Sequence, residues 1–112
     1  MNLINIITDD PTQTMSLKLD NGQNLSFSLW YSYNQKGWFY SFTYGTYKST
    51  NRRMVQSLNM IRAIKNVIPF GLACLLTDKN EPVFIEDFKS GRAALYTLNQ
   101  SDVTKVESLL GT

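Results

Sequence analysis

Histidine is absent from this 112-residue sequence, and cysteine occurs once. Without histidine the chain lacks the commonest general base, the commonest zinc ligand and the usual activator of a serine or cysteine nucleophile. The lone Cys74 permits no internal disulfide. It lies in the apolar run Phe70–Leu76 and reads as a buried core thiol. Phosphate-binding glycine loops, metal-ligand clusters and nucleophile elbows are missing as well. The nearest approach to a carboxylate constellation is Glu86-Asp87, with Asp9-Asp10 as a candidate second pair. Adjacent acids on a strand point to opposite faces, so a surface role in turns is expected, with Arg92 as a local partner. The expectation is a non-enzyme with no cofactor and no metal.

Long hydrophobic runs are also lacking. No stretch approaches the roughly 20 apolar residues that span a bilayer. Met1–Thr8 has neither the cationic start nor the apolar core of a secretory signal. A protein made in a cytoplasm, or packed from there into a larger particle, is expected, with no membrane contact. Acidic residues are missing between Asp20 and Asp78, a stretch that holds Lys36, Lys48, Arg52, Arg53, Arg62 and Lys65. Net charge is only +2. The stretch supplies either a basic patch for an acidic partner or cations spread around a solvated surface.

What is present alternates. Turn residues recur at short spacing, and the length suits one domain over residues 1–112. Leu3–Thr8 reads as a first strand, broken by Asp9-Asp10-Pro11. Met15, Leu17 and Leu19 alternate with polar residues, as do Leu25, Phe27 and Leu29. Asp20-Asn21-Gly22 between them predicts a tight two-residue hairpin. Asn34–Gly37 turns the chain again, and Trp38, Tyr40, Phe42 and Tyr44 share one face of the next strand. Arg52–Ile68 fits a helix, or a strand over Arg53–Ser57 followed by a helical turn over Asn59–Asn66. Leu72–Thr77 suits a fully buried strand, and Asp78–Pro82 a polar turn. Val83–Ile85 looks β-like, Ser90-Gly91 is a break, and Ala93–Leu98 reads as the last strand. Asn99 is an N-cap candidate with Asp102 at the third helical position. A helix over about Gln100–Leu110 follows, with Val103, Val106, Leu109 and Leu110 as its apolar stripe and Gly111 as its stop. The fold expected is mainly β: a small antiparallel β-barrel with a short C-terminal helix.

Tyr31, Tyr33, Trp38, Tyr40 and Tyr44 cluster near the second turn. They pack a core or, if exposed, form a sticky patch for nucleobases or another subunit. Tyr31, Tyr33, Arg52, Arg53, Arg62 and Lys65 are therefore the candidate partner-binding residues. A small nucleic-acid-binding barrel is the alternative reading, with aromatics stacking bases and cations meeting phosphates. The modest net charge counts against it.

The segments Arg52-Arg53-Met-Val-Gln-Ser-Leu-Asn-Met-Ile-Arg62, Ile68-Pro-Phe-Gly-Leu-Ala-Cys74, Glu86-Asp-Phe-Lys-Ser-Gly-Arg92 and Leu95-Tyr-Thr-Leu98, then the Asp102-Val103 helix start, form a pattern. With the isoleucine-rich opening and the Trp38-Phe39-Tyr40 segment, it resembles the small baseplate plug proteins of contractile-tailed bacteriophages. The most specific parts are Pro69-Phe-Gly-Leu72 and the Asp87-Phe-x-x-Gly-Arg92 stretch. The resemblance implies a structural virion protein in the tail baseplate, assembled in the host cytoplasm. It implies a threefold set that closes the lumen of the central hub, above the spike. The hub protein and the end of the tape-measure protein would be its neighbours. It also favours the strand-and-turn reading of Arg52–Ile68 over one long helix.

Overall fold

A computed structural model describes residues 1–4, 6–78 and 81–110. Its first sheet is a meander of four antiparallel strands in the order β2-β3-β4-β5. These are β2 (Thr12–Lys18), β3 (Asn24–Ser32), β4 (Gly37–Tyr44) and β5 (Tyr47–Arg53). The second sheet places β7 (Ala93–Leu98) between β1 (Asn2–Leu3) and β6 (Gly71–Leu76). Two helices, α1 (Asp87–Ser90) and α2 (Gln100–Leu109), flank β7 in sequence.

Period-2 alternation builds the first sheet. Leu25, Phe27 and Leu29 of β3 and Trp38, Tyr40 and Phe42 of β4 are all buried on one face. They meet Leu72, Cys74 and Leu95 of the second sheet in a single apolar cluster. The other face of the second sheet is covered in part by α2, where Ala73, Leu98, Val103 and Val106 form a second cluster. Cover on both faces explains why β6 reads as an unbroken apolar run. The Cys74 thiol is fully buried, and burial pushes its pKa up to about 12.

The turns carry the left-handed residues. Asp20-Asn21-Gly22 forms a three-residue loop, closed by Leu19 N–H donating to Gln23 O at 2.9 Å. Only Gly22 in it takes a positive φ, of 85°, so the expected two-residue turn is corrected to the three-residue form with glycine in the left-handed position. Strand β5, which the sequence did not reveal, pairs with β4 through a bulge at Thr50-Asn51, with Asn51 at φ 56°. The long-helix option is gone: the chain makes a single 3-10 turn at Arg62–Ile64.

Several expectations are corrected. The barrel is not closed. On one side, the segment after β5 joins the sheets: Met54 N–H bonds Trp38 O at 2.8 Å, and Ser57 pairs with Cys74 of β6. On the other, no backbone hydrogen bond crosses between β1 and β2 among the described residues, and a barrel needs an unbroken ladder. The first strand is Asn2–Leu3, not Leu3–Thr8. The strand expected over Arg53–Ser57 ends at Arg53, with one bridge at Ser57. Val83–Ile85 forms no strand, because its backbone is held by side chains of β3, β4 and α1 (below). Leu109 and Leu110 leave the apolar stripe and are exposed, since the helix runs past the edge of its docking surface. Gly111 and the Lys79-Asn80 part of the polar turn lie outside the described residues.

Helix α2 starts in the expected way. The Asn99 side chain accepts from Asp102 N–H at 2.8 Å, and Asp102 accepts in return from Asn99 N–H. Asn99→Ala is expected to cost about 1 kcal/mol in chemical denaturation. The Asp102 carboxyl also accepts from the Met1 amino group, and this bond, ahead of the opposing burial, holds its pKa below the usual carboxylate value. A lowered native pKa stabilises above the unfolded value and stops doing so as pH falls through the native one. The melting difference between the chain and Asp102→Asn is therefore expected to be largest near neutrality and to vanish in strong acid.

Candidate partner-binding surfaces

The two most specific sequence stretches turn out to be structural joints. In Pro69-Phe-Gly-Leu72, Phe70 is buried against Phe42 and Tyr44, with ring centroids 5.7 and 5.2 Å away. A side chain at Gly71 would stand 2.9 Å from the Asn59 amide, so the position is kept bare. Asn59 Oδ1 accepts from the backbone N–H of Ile61 and of Leu72, which fixes the 3-10 segment to β6.

In Asp87-Phe-x-x-Gly-Arg92, Asp87 is only 1 % exposed, contrary to the surface role expected of it. It opens α1 and accepts from Phe84 N–H at 2.9 Å and from Arg92 at 2.7 Å. Arg92 also binds Asp78 at 2.9 Å, and these partners raise its pKa. Gly91 ends α1 at φ 86°. Phe88 packs edge-on against Trp38, 5.8 Å away. The Trp38 indole N–H donates to Phe84 O and the Tyr31 hydroxyl to Val83 O. The segment 83–87 is thus stapled to the first sheet by two aromatic side chains, while the Asp87 carboxylate ties Phe84 to Arg92 at the start of β7.

Tyr31 is half-buried and acts in this staple, its ring against those of Tyr33 (5.1 Å) and Trp38 (5.5 Å). Burial raises its pKa. Tyr33, 65 % exposed, lies in the β3–β4 turn. Arg53 reaches the same turn, donating to the carbonyls of Gln35 and Lys36, and lies 5.4 Å over the Phe39 ring. Arg52 bonds Ser49 and faces Tyr40, whose pKa burial pushes up to about 12. Arg62 and Lys65 sit elsewhere. Both bind Glu107 of α2, at 2.7 and 3.1 Å. The acid-free stretch of sequence therefore meets acid in space, and its cations divide into two groups.

The outward face of the first sheet holds residues that sequence reading did not select. Cross-strand pairing sets Thr12, Trp30, Phe39 and Arg53 in one row across the four strands. Trp30 and Phe39 stack with centroids 6.0 Å apart. A shallow cleft of about 200 Å³ beside them is lined by Ser32, Gln35 and Asn51. The rows beyond are Thr14, Ser28 and Ser41, then Ser16, Ser26, Thr43 and Lys48. The signal was legible: Trp30 and Phe39 occupy polar-phase positions of otherwise alternating strands. A rigid aromatic pair, an arginine and a polar surround suit contact with another protein surface.

Among the described residues, no three His, Cys, Asp or Glu side chains gather as a metal site, and no helix is long and apolar enough to cross a membrane. No curated protein matches the chain. The family model described as "Cyanophage baseplate Pam3 plug gp18" matches residues 1–100, which include both structural joints and the aromatic row. The chain belongs to this family of phage baseplate plugs, components of the virion tail.

Proposed function

We propose that the chain closes the lumen of the central hub of the baseplate as a threefold set above the spike. It contacts the hub protein and the end of the tape-measure protein, and joins them in the host cytoplasm during assembly. Family membership over residues 1–100 carries this reading. The aromatic row and the exposed Tyr33 support it as anchors for a flat protein contact. The role needs shape and rigidity, and no turnover. The nucleic-acid reading has less support, because two of its four arginine and lysine candidates share Glu107.

Mixing the purified chain with hub protein, followed by size-exclusion chromatography with light scattering, tests the proposal. A complex holding the plug in threefold stoichiometry is expected. Trp30→Ala combined with Arg53→Ala is expected to weaken it about tenfold or more, as for hot-spot residues. A chain that stays monomeric and ignores the hub protein overturns the reading.

A further inference from the structure

We infer that the open seam between β1 and β2 is a strand-acceptor site, filled by an extended, otherwise unfolded segment of another polypeptide. Three observations converge on it. Backbone directions come first. Tyr31 N–H bonds Pro11 O at 2.8 Å and Leu19 N–H bonds Gln23 O at 2.9 Å. Alternation then turns the odd-numbered residues of β2 toward β3, and leaves the N–H and C=O groups of Thr12, Thr14, Ser16 and Lys18 facing away from it. Across the seam, Ile4 N–H bonds Leu95 O, so Leu3 turns its own groups away from β7.

The core is the second observation. Met15 and Leu17 point to the core side but stay half-buried, whereas their partners on β3, Phe27 and Leu25, are 1 % and 0 % exposed. Leu3 and Ile6 are each 54 % exposed along the same opening. A cleft of about 210 Å³ runs between Asn2, Leu3, Ile4 and Ile6 on one side and Leu17 and Lys18 on the other.

The third is how the seam is held. Among the described residues only side chains span it: Asn2 donates to Asp20 at 2.7 Å at one end, and the Gln13 amide brackets the backbone of Thr8 at the other. Such bonds are exposed and separable, unlike a ladder.

The occupant follows from these constraints. A strand lying in the seam must have both of its edges free. Every described strand of this chain already pairs in a sheet, so a second folded copy has only one free edge to offer. The occupant is therefore a segment of a different protein that becomes extended on binding, as in β-strand addition. Its inward side chains are apolar, to cover Met15, Leu17 and Ile4. Its outward ones are polar, and an acidic one meets Lys18 on the rim. The inference holds whichever neighbour supplies the strand, so it stands apart from the plug reading: a peptide assay tests the seam and the hub assay tests the plug.

The probe is a capped peptide of about six residues, the length of an ordinary strand, alternating valine and threonine with one threonine changed to aspartate. Its control is the same peptide N-methylated at alternate amides. The full chain is expected to bind the first peptide saturably and the second about a hundredfold more weakly, since three lost backbone bonds remove about 1 kcal/mol each. Hydrogen exchange is expected to show protection gained at the amides of Thr14, Ser16 and Lys18. Ser16→Pro deletes one outward donor on an edge strand, where proline is tolerated, and is expected to weaken binding about fivefold, as for one such bond. Should that variant fail to fold, Lys18→Glu carries the test: preference shifts from the aspartate peptide to one bearing lysine. Equal binding of the two peptides, no saturable binding, or unchanged exchange at the β2 amides overturns the inference.

Discussion

Asp87→Ala is expected to destabilise the fold by about 3 kcal/mol, at the lower end for breaking a buried ion pair. The carboxylate is 1 % exposed, and it holds both Phe84 N–H and the Arg92 guanidinium. Alanine removes both bonds and leaves the Phe84 N–H without its acceptor in a part-buried site. Arg92 is one-fifth exposed at its side chain and keeps Asp78, which is why the loss is not placed higher. For a domain of this size the thermal midpoint is expected to fall by about 12 °C, read by circular dichroism or calorimetry. Asp87→Asn discriminates between the two contributions. Asparagine keeps an acceptor for Phe84 and loses the charge, so it is expected to recover about half of the stability. Equal losses in the two variants would assign the whole effect to the ion pair.

How much of this was visible in the sequence depends on the range of the interactions. Strands β2, β3, β4 and β7, the buried Cys74 and the Asn99–Asp102 cap were all legible, because each is a local pattern of period two or a fixed three-residue spacing. Strand β5 was not. Its sequence, Tyr-Lys-Ser-Thr-Asn-Arg-Arg, carries no apolar alternation, because it lies on an edge with a bulge at Asn51. Asp87 was read as a surface acid, since burial of a charge depends on a partner, and whether Arg92 folds back onto it is decided by Gly91 and the short helix between them. The open seam was invisible for a related reason. Alternation tells which face of a strand is buried, and says nothing about whether its edge finds a partner.

The candidate surface divides in the same way. Tyr31 and Tyr33 were singled out by composition, yet their roles differ: one hydroxyl is used to hold Val83, while the other ring projects from the turn. Arg53 was selected for its charge, and its nearest feature is an aromatic ring it covers. Arg62 and Lys65 looked like companions of Arg53 only because Glu107 lies far along the chain.

Trp38→Ala is expected to have the largest effect of any single change, about 4 kcal/mol. The indole is fully buried and touches Tyr31 and Phe88 edge-on, and its N–H holds Phe84 O at 3.1 Å. Truncation therefore opens a cavity in the core and frees the segment 83–87 together. Trp38→Phe keeps most of the volume but cannot donate, and is expected to cost about 1–2 kcal/mol. Its value lies in combination with Asp87→Ala. Both changes release the Phe84 backbone, one at its carbonyl and one at its N–H. If Phe84 is held as one unit, the first change already gives up part of what the second would remove. The double variant is then expected to lose at least about 0.5 kcal/mol less than the two single losses added together, as for residues that share a partner. Strict additivity in denaturant unfolding would mean that the indole and the carboxylate hold separate pieces of chain, and the staple would have to be redrawn as two independent contacts.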